Sequence, residues 1–238
     1  MVRNVKKSGP YRFVSDQMLT NRDIEVLSAA MAHSGCKEND RLAGRATMAR
    51  VTLEGFDKAV VKSYFRGGIV RHFVKRHYFR WGKLRCEAEY DMLKRVRALG
   101  VNVPKPLAYA FQGSILYKAW LITKEIDSPQ RLFDLSFKNE RDVPDVIGSL
   151  ACQVALLIEH KIRHIDLHPG NVLVDRSGKV YLVDFDKAGV YRGSRSGLAK
   201  RYIERWNRAV RKYNLPNRLQ NDFSVSLKKA LEQTYRDR

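Results

Sequence analysis

One stretch limits the folds open to this chain more than any other. It runs His164-Ile165-Asp166-Leu167-His168-Pro169-Gly170-Asn171, then Val172-Leu173-Val174, then Val180-Tyr181-Leu182-Val183-Asp184-Phe185-Asp186. An Asp sits on a loop, an Asn follows five residues later, and two apolar strands separated by a turn lead to another Asp. Pro169 and Gly170 keep the loop from becoming helix. Val172 to Val174 and Val180 to Val183 read as two short buried strands, with Ser177-Gly178 turning between them. A hairpin there returns the chain, so that Asp184 emerges beside the loop. Phosphoryl transfer needs such a set. One carboxylate, Asp166, takes or orients the proton of the attacking hydroxyl. An amide oxygen, Asn171, and a second carboxylate, Asp184, hold the Mg²⁺ that neutralises a triphosphate. The alternative is a loop and hairpin with solvated Asp caps, which would require several residue types to fall at these distances by chance.

His160, His164 and His168 recur every four residues, a spacing that on a helix would line up metal-ligating imidazoles. Pro169-Gly170 and the strand beyond put His168 at or past the helix end, and no Cys or Glu nearby completes a tetrahedral set. His164 is expected to anchor the loop backbone by hydrogen bonds instead.

Charge is the second constraint. The formal net charge is +20, which points to a polyanionic partner: nucleic acid, an anionic membrane face or a phosphorylated substrate. Hydrophobic residues make up 44 % of the 238, so the charge belongs to a chain able to bury a core. Cys36, Cys86 and Cys152 form no CxxC pair and no even framework, which predicts reduced thiols. Met1 to Pro10 lacks the apolar segment of a signal peptide. No apolar run approaches the ~20 residues needed to span a bilayer, so any membrane role is expected to be peripheral.

Along the chain, Asp16 to Ala32 reads as a helix with Asn21 or Asp23 near its start. Thr47 to Leu53 and Lys58 to Phe65 read as strands around Glu54-Gly55. Gly44-Arg45-Ala46, just before them, is a candidate phosphate-covering turn. Lys62 ends the run Ala59-Val60-Val61 and resembles the strand lysine that pairs the α/β-phosphates and a helix glutamate. Leu84 to Leu99 reads as that helix, with a stripe of Leu84, Ala88, Met92, Leu93, Val96 and Leu99 and with Gly100 at its C-cap. Glu89 is the expected partner of Lys62, because Leu93 lies one turn later to pack inward beneath it. Glu87 is the runner-up, and the acid not used is expected to pair with basic residues of its own helix. Leu107 to Phe111 and Leu116 to Thr123 read as antiparallel strands. Lys124-Glu125-Ile126-Asp127 would be a hinge whose backbone binds adenine. Residues 129–142 read as polar linker. Val143 to Lys161 reads as a buried helix with Cys152 in the core, and two basic helices close the chain, with Trp206 in packing.

The segment Lys62 to Arg85 interleaves Arg66, Arg71, Lys75, Arg76, Arg80, Lys83 and Arg85 with Phe73, Tyr78, Phe79 and Trp81. Such a patch suits RNA, an anionic membrane, or simply a solvated basic surface.

Together these residues resemble the lipopolysaccharide core kinases, the family of 3-deoxy-D-manno-oct-2-ulosonic acid (Kdo) kinases and heptose kinases. The resemblance runs from about Leu42 to Leu215. It rests on Tyr64-Phe65-Arg66-Gly67-Gly68, on Glu89-Tyr90 with Leu93 ahead of Gly100-Val101-Asn102-Val103-Pro104-Lys105-Pro106, on Asp166 to Asn171, on Asp184-Phe185-Asp186-Lys187, and on Arg205-Trp206-Asn207-Arg208. Asp-Phe-Asp stands where protein kinases have Asp-Phe-Gly, which fits a non-protein acceptor. The Arg-Gly-Gly segment favours the Kdo kinase branch.

The resemblance implies an α+β, bilobal protein-kinase-like fold. Residues 41–126 would be a β-rich N-lobe and 127–238 a mainly helical C-lobe, after an extension, 1–40, of unclear role. It implies ATP and Mg²⁺, and an acceptor hydroxyl on Kdo in the lipid A–inner core, reached from the cytoplasmic face of the inner membrane by peripheral attachment to its anionic surface. Lys62, held by Glu89, would position phosphates. Gly44 would cover them, and Lys124, Glu125 and Ile126 would meet the base. Asn171 and Asp184 would bind the metal and Asp166 would serve the acceptor. Arg66 and Arg71 are assigned to the acceptor's carboxylate or phosphates, since Arg forks match those anions. No obligate nucleic acid and no protein partner follow from this reading. Heptose, a small molecule or a protein remain alternative acceptors, and a basic nucleic-acid-binding protein is the alternative of another class.

Overall fold

The computed structural model describes residues 3–33, 48–64, 82–138 and 143–236, and the backbone of 78–79. Gly44, Arg66 and Arg71 lie outside the described residues, as does most of the basic aromatic segment. The chain divides into two units, Met1–Asp91 with Lys105–Glu125, and Met92–Pro104 with Ile126–Arg238.

The first unit is built on an antiparallel sheet. Its elements are β1 (Asn4–Ser8), β2 (Tyr11–Ser15), α1 (Asn21–His33), β3 (Met48–Leu53), β4 (Asp57–Ser63), β5 (Tyr78–Phe79), the start of α2 (Arg85–Ala98), β6 (Pro106–Gly113) and β7 (Leu116–Lys124). The strand order is β1-β2-β6-β7-β4-β3, with β5 also paired to β7. The expected hairpin is β3–β4, in register from Met48 opposite Lys62 to Leu53 opposite Asp57. The β1–β2 hairpin was not legible in the sequence. It joins the sheet through β6, so residues 3–33 are part of this unit's architecture.

Alternation along β4 decides where its side chains go. Ala59 and Val61 are buried in a cluster with Ile24, Leu27 and Met31 of α1 and with Phe13, Ala110 and Ile122. Lys62, one residue on, therefore points to the opposite face. The start of α1 is fixed by a reciprocal cap. Thr20 Oγ1 accepts from the Asp23 amide at 3.0 Å, and Asp23 Oδ2 accepts from the Thr20 amide at 2.9 Å. The other Asp23 oxygen accepts from the Glu54 amide at 2.8 Å, tying the helix to the β3–β4 turn.

Helix α2 departs from its expected stripe. The buried positions are Cys86, Glu89, Tyr90, Leu93 and Val96, whereas Ala88 is exposed. The apolar count pointed to a face turned by about one residue, because a buried glutamate does not register as part of a hydrophobic stripe. Gly100 ends the helix as expected, at φ +86°, with the Val101 amide donating to the Val96 carbonyl at 3.1 Å.

The second unit is mainly helical. It contains β8 (Gln130–Arg131), α3 (Leu132–Lys138), α4 (Val143–Glu159), β9 (Ile162–Arg163), β10 (Val172–Val174), β11 (Val180–Leu182), β12 (Gly189–Val190), α5 (Arg195–Lys212) and α6 (Arg218–Arg236). The segment read as polar linker thus contains a helix, seated by the buried Leu132 and Ser136. Helix α4 is buried over most of its circumference and exposes a narrow line at Asp145, Ser149 and Cys152. The core assignment of Cys152 is therefore corrected: it lies on the one solvent-facing line of an otherwise apolar helix. Buried Gln153 on the next position is fully used. Its Oε1 accepts from the Asn102 amide at 2.9 Å and its Nε2 donates to the Val180 carbonyl at 3.0 Å. Trp206 is packed as expected, stacked on Phe223 at 4.6 Å with its indole N–H donating to the Leu219 carbonyl at 2.8 Å. No helix of the described residues is long and apolar enough to cross a membrane.

Candidate active site

In the first unit, Lys62 Nζ donates to both oxygens of Glu89, each at 3.0 Å. Of the two glutamates weighed from the sequence, Glu89 is the one the fold brings to the lysine. Glu89 is only 3 % exposed, so its charge needs full compensation, which the Tyr64 hydroxyl completes by donating to the second oxygen. Lys62 Nζ also lies 5.2 Å from the centre of the Tyr64 ring. Burial and the adjacent Glu89 charge push the Tyr64 hydroxyl well above its ordinary pKa, so it stays a hydrogen-bond donor. Glu87 does not pair within its helix. It accepts from Arg3 at 2.9 Å, and Arg3 also pairs with Asp91 of the same helix. The N-terminal segment thereby holds the turns of α2 on either side of Glu89.

Lys124 and Glu125 carry an unexpected restriction. Their amides donate to the carbonyls of Lys105 and Lys58 at 2.8 and 3.0 Å, so these two N–H groups are committed to the sheet. The Glu125 carboxylate accepts from Arg50 at 2.6 Å. A base meeting this segment would have to use its carbonyls or the amide of Ile126.

In the second unit the catalytic-loop motif and the strand before Asp184 are joined through one buried imidazole. His164 Nδ1 accepts from the Asp166 amide at 3.2 Å, which leaves the proton on Nε2, and Nε2 donates to the Val183 carbonyl at 2.9 Å. Burial pushes the His164 pKa down to about 4, so the ring is neutral. Both nitrogens are committed to main chain, which removes His164 from any metal set. Above it, the Tyr202 hydroxyl accepts from the His164 amide and donates to the Ile162 carbonyl, both at 2.8 Å.

Asn171 makes the second link. Its Nδ2 donates to the Asp166 carbonyl at 2.8 Å, while its own carbonyl accepts from the Val183 amide at 3.1 Å. The backbones at Asp166, Asn171 and Val183-Asp184 are therefore one hydrogen-bonded knot. Asp184 itself sits at φ +64°, a left-handed conformation that Asp tolerates better than most side chains. Pro169–Asn171 forms a 3-10 turn capped by His168, whose Nδ1 accepts from the Gly170 amide at 3.1 Å. A Cβ on Gly170 would stand 2.8 Å from His168 Cε1, so a larger residue there would push the His168 ring aside.

The donor set suits a hard cation. With Nδ2 of Asn171 held by a carbonyl, the amide oxygen is the atom left to face a ligand, and Asp184 adds carboxylate oxygen. Oxygen-only donors of this kind fit Mg²⁺ rather than a softer metal.

Three residues at these sites were not singled out from the sequence: Tyr64, Tyr202 and Arg205. Arg205 Nη2 of α5 pairs with Asp166 Oδ1, across 39 residues of chain. Their side chains remain 38 % and 45 % exposed. Tyr64 and Arg205 both stand in segments that carried the family resemblance, which was the available signal; nothing in the local pattern marked Tyr202.

The sequence model of the "Lipopolysaccharide kinase (Kdo/WaaP) family" matches residues 36–220. Among curated proteins, the chain is 32 % identical over 172 residues to a 3-deoxy-D-manno-octulosonic acid kinase of Vibrio vulnificus (strain YJ016), covering 71 % of each chain. It is 26 % identical over 232 residues to the protein of that name from Vibrio parahaemolyticus, covering 94 % of this chain and 95 % of the other. The Vibrio cholerae protein of the same name is 31 % identical over 173 residues, covering 70 % and 72 %.

Proposed function

Since this chain belongs to the lipopolysaccharide kinase (Kdo/WaaP) family, we propose that it transfers the γ-phosphoryl group of ATP to a hydroxyl of Kdo in a lipid A–inner core glycolipid. The observation that carries this reading is the hydrogen-bonded knot of Asp166, Asn171 and the strand before Asp184. It gathers, within one unit, a carboxylate for the acceptor and oxygen donors for a cation. The sheet-rich first unit and mainly helical second unit agree with the kinase-like fold of the family.

Each residue then has a role that follows from its chemistry. Lys62, kept extended by Glu89 and Tyr64, presents a fixed ammonium to the α/β-phosphates. Asn171 and Asp184 would hold Mg²⁺, which supplies charge neutralisation to the triphosphate when bound. Asp166 orients the acceptor hydroxyl and receives its proton as the new P–O bond forms and the bond to ADP breaks. Neutral His164 keeps the Asp166 backbone in place without adding charge beside it. Because the transition state is largely dissociative, fixed geometry and charge account for most of the expected rate.

The net charge of +20 supports attachment to the anionic cytoplasmic face of the inner membrane, where each nearby cation adds about 1 kcal/mol of attraction. The test is ATP-dependent labelling of a Kdo-bearing lipid A precursor by the purified protein, with mass spectrometry of the product. Asp166→Ala should abolish transfer while far-UV circular dichroism stays unchanged. Full activity of that variant, or transfer to heptose acceptors alone, would overturn the assignment.

A further inference from the structure

We infer that Arg205, supported by Lys212, is the receptor for the carboxylate of the acidic acceptor sugar, and that it delivers that sugar to Asp166. The inference rests on the kinase reading above and deepens it.

Asp166 must meet a hydroxyl of the sugar, yet an acid sugar brings a second carboxylate. Two carboxylates approaching without a cation between them repel, and each raises the cost of the other's charge. Arg205 already stands on one oxygen of Asp166 through Nη2. A guanidinium carries five N–H donors in a fixed fork, so the pair with Asp166 leaves donors for a second carboxylate. Among the described residues, Asp166 is the only side chain that Arg205 hydrogen-bonds. Both partners remain partly open to solvent, at 38 % and 45 %, so an incoming anion can reach them. An exposed ion pair of this kind is weak, and its geometry yields readily to a third partner.

Lys212 stands on the same face of α5, two turns further along, with Nζ 5.2 Å from the Tyr213 ring. The Tyr213 ring lies 6.0 Å from that of His168, inside the catalytic loop. Helix α5 thus brings two positive side chains to the one loop that serves the acceptor hydroxyl. Arg66 and Arg71, the anion-binding candidates from the sequence, lie outside the described residues; Arg205 is the arginine seen beside Asp166.

The experiment compares a Kdo-bearing lipid A precursor with the same molecule methyl-esterified at the Kdo carboxyl, using the full-length protein. Wild type should favour the acid in kcat/KM by about 10- to 100-fold, the range of a charge-assisted hydrogen bond. Arg205→Gln should erase most of that preference, chiefly through KM for the acid, lowering kcat/KM for the acid about tenfold more than for the ester. Arg205→Lys should restore part of the preference, since it returns the charge without the fork. Unchanged thermal unfolding of Arg205→Gln would exclude a folding effect. Equal loss on acid and ester would overturn the inference and make Arg205 only a holder of Asp166, leaving the kinase reading intact. Transfer to neither acceptor by wild type would instead remove the kinase reading, and this inference with it.

Discussion

Acidification should weaken the second unit through one residue, His164. Its pKa is pushed down to about 4 by burial, whereas an unfolded chain returns it to about 6.5. The folded state therefore prefers the neutral ring. The stability this gives is fully present above about pH 6.5 and is lost progressively as pH falls toward the folded value. Between about pH 7.5 and about pH 5 the loss from this residue is about 2 kcal/mol, because over that range the unfolded chain takes up a proton that the folded one refuses. Urea unfolding across this range, with EDTA present to keep cations from Asp184, measures it. His164→Asn provides the comparison. That variant starts lower, since the Val183 carbonyl and Asp166 amide lose their partner, but its stability should depend less steeply on pH. Parallel pH dependences for wild type and His164→Asn would refute the reasoning. His168 is also lowered, by burial, but it titrates in both proteins and cancels.

Other perturbations test other contacts. Glu89→Gln should cost about 3 kcal/mol, because it takes the carboxylate charge from the ion pair with Lys62, in which the two side chains are only 3 % and 15 % exposed. Adding Lys62→Met should recover part of that loss, so a double-mutant cycle that came out additive would deny the coupling. Gly170→Ala should lower turnover about tenfold with little change in melting temperature, because the new Cβ displaces the His168 ring and with it the spacing of Asp166 and Asn171; single-turnover kinetics would show it. In a Cys36→Ser background, Cys152 should react with a thiol reagent in the native protein. Cys86, buried and pushed up to about 12, should react only on unfolding.

Much of the chemistry was legible because its residues lie in short, self-contained patterns. Period-2 alternation around a turn marked β3–β4 and so placed Lys62 on a strand; proline, glycine and two valine-rich runs marked the loop and hairpin that carry Asp166, Asn171 and Asp184. What escaped has several causes, the first of them long-range contact. The strand Asn4–Ser8 is polar and pairs with β2, which is itself anchored on β6 almost a hundred residues away in the chain. Helix α3, at seven residues, is too short to declare a period. The face of α2 was misread because its buried centre is an acid. Cys152 was misread because a helix buried nearly all round still keeps one exposed line. Arg205 was marked only as part of the segment that carried the family resemblance, since an arginine among many in a basic helix looks solvated until the loop it meets is known.

Helix α5 reaches back to the catalytic loop at two points, Tyr202 on the His164 amide and Arg205 on Asp166, over 38 and 39 residues of chain. A nascent polypeptide that had just emerged as far as Asp184 would already possess its acid, its amide and its strand lysine, yet the backbone at His164 would have no clasp and the acid no counterion. C-terminal truncations made to find a minimal enzyme should therefore fail well before they reach either clasp, because loss of α6 strips Phe223 and the Leu219 carbonyl from Trp206 and so unseats the helix that carries both.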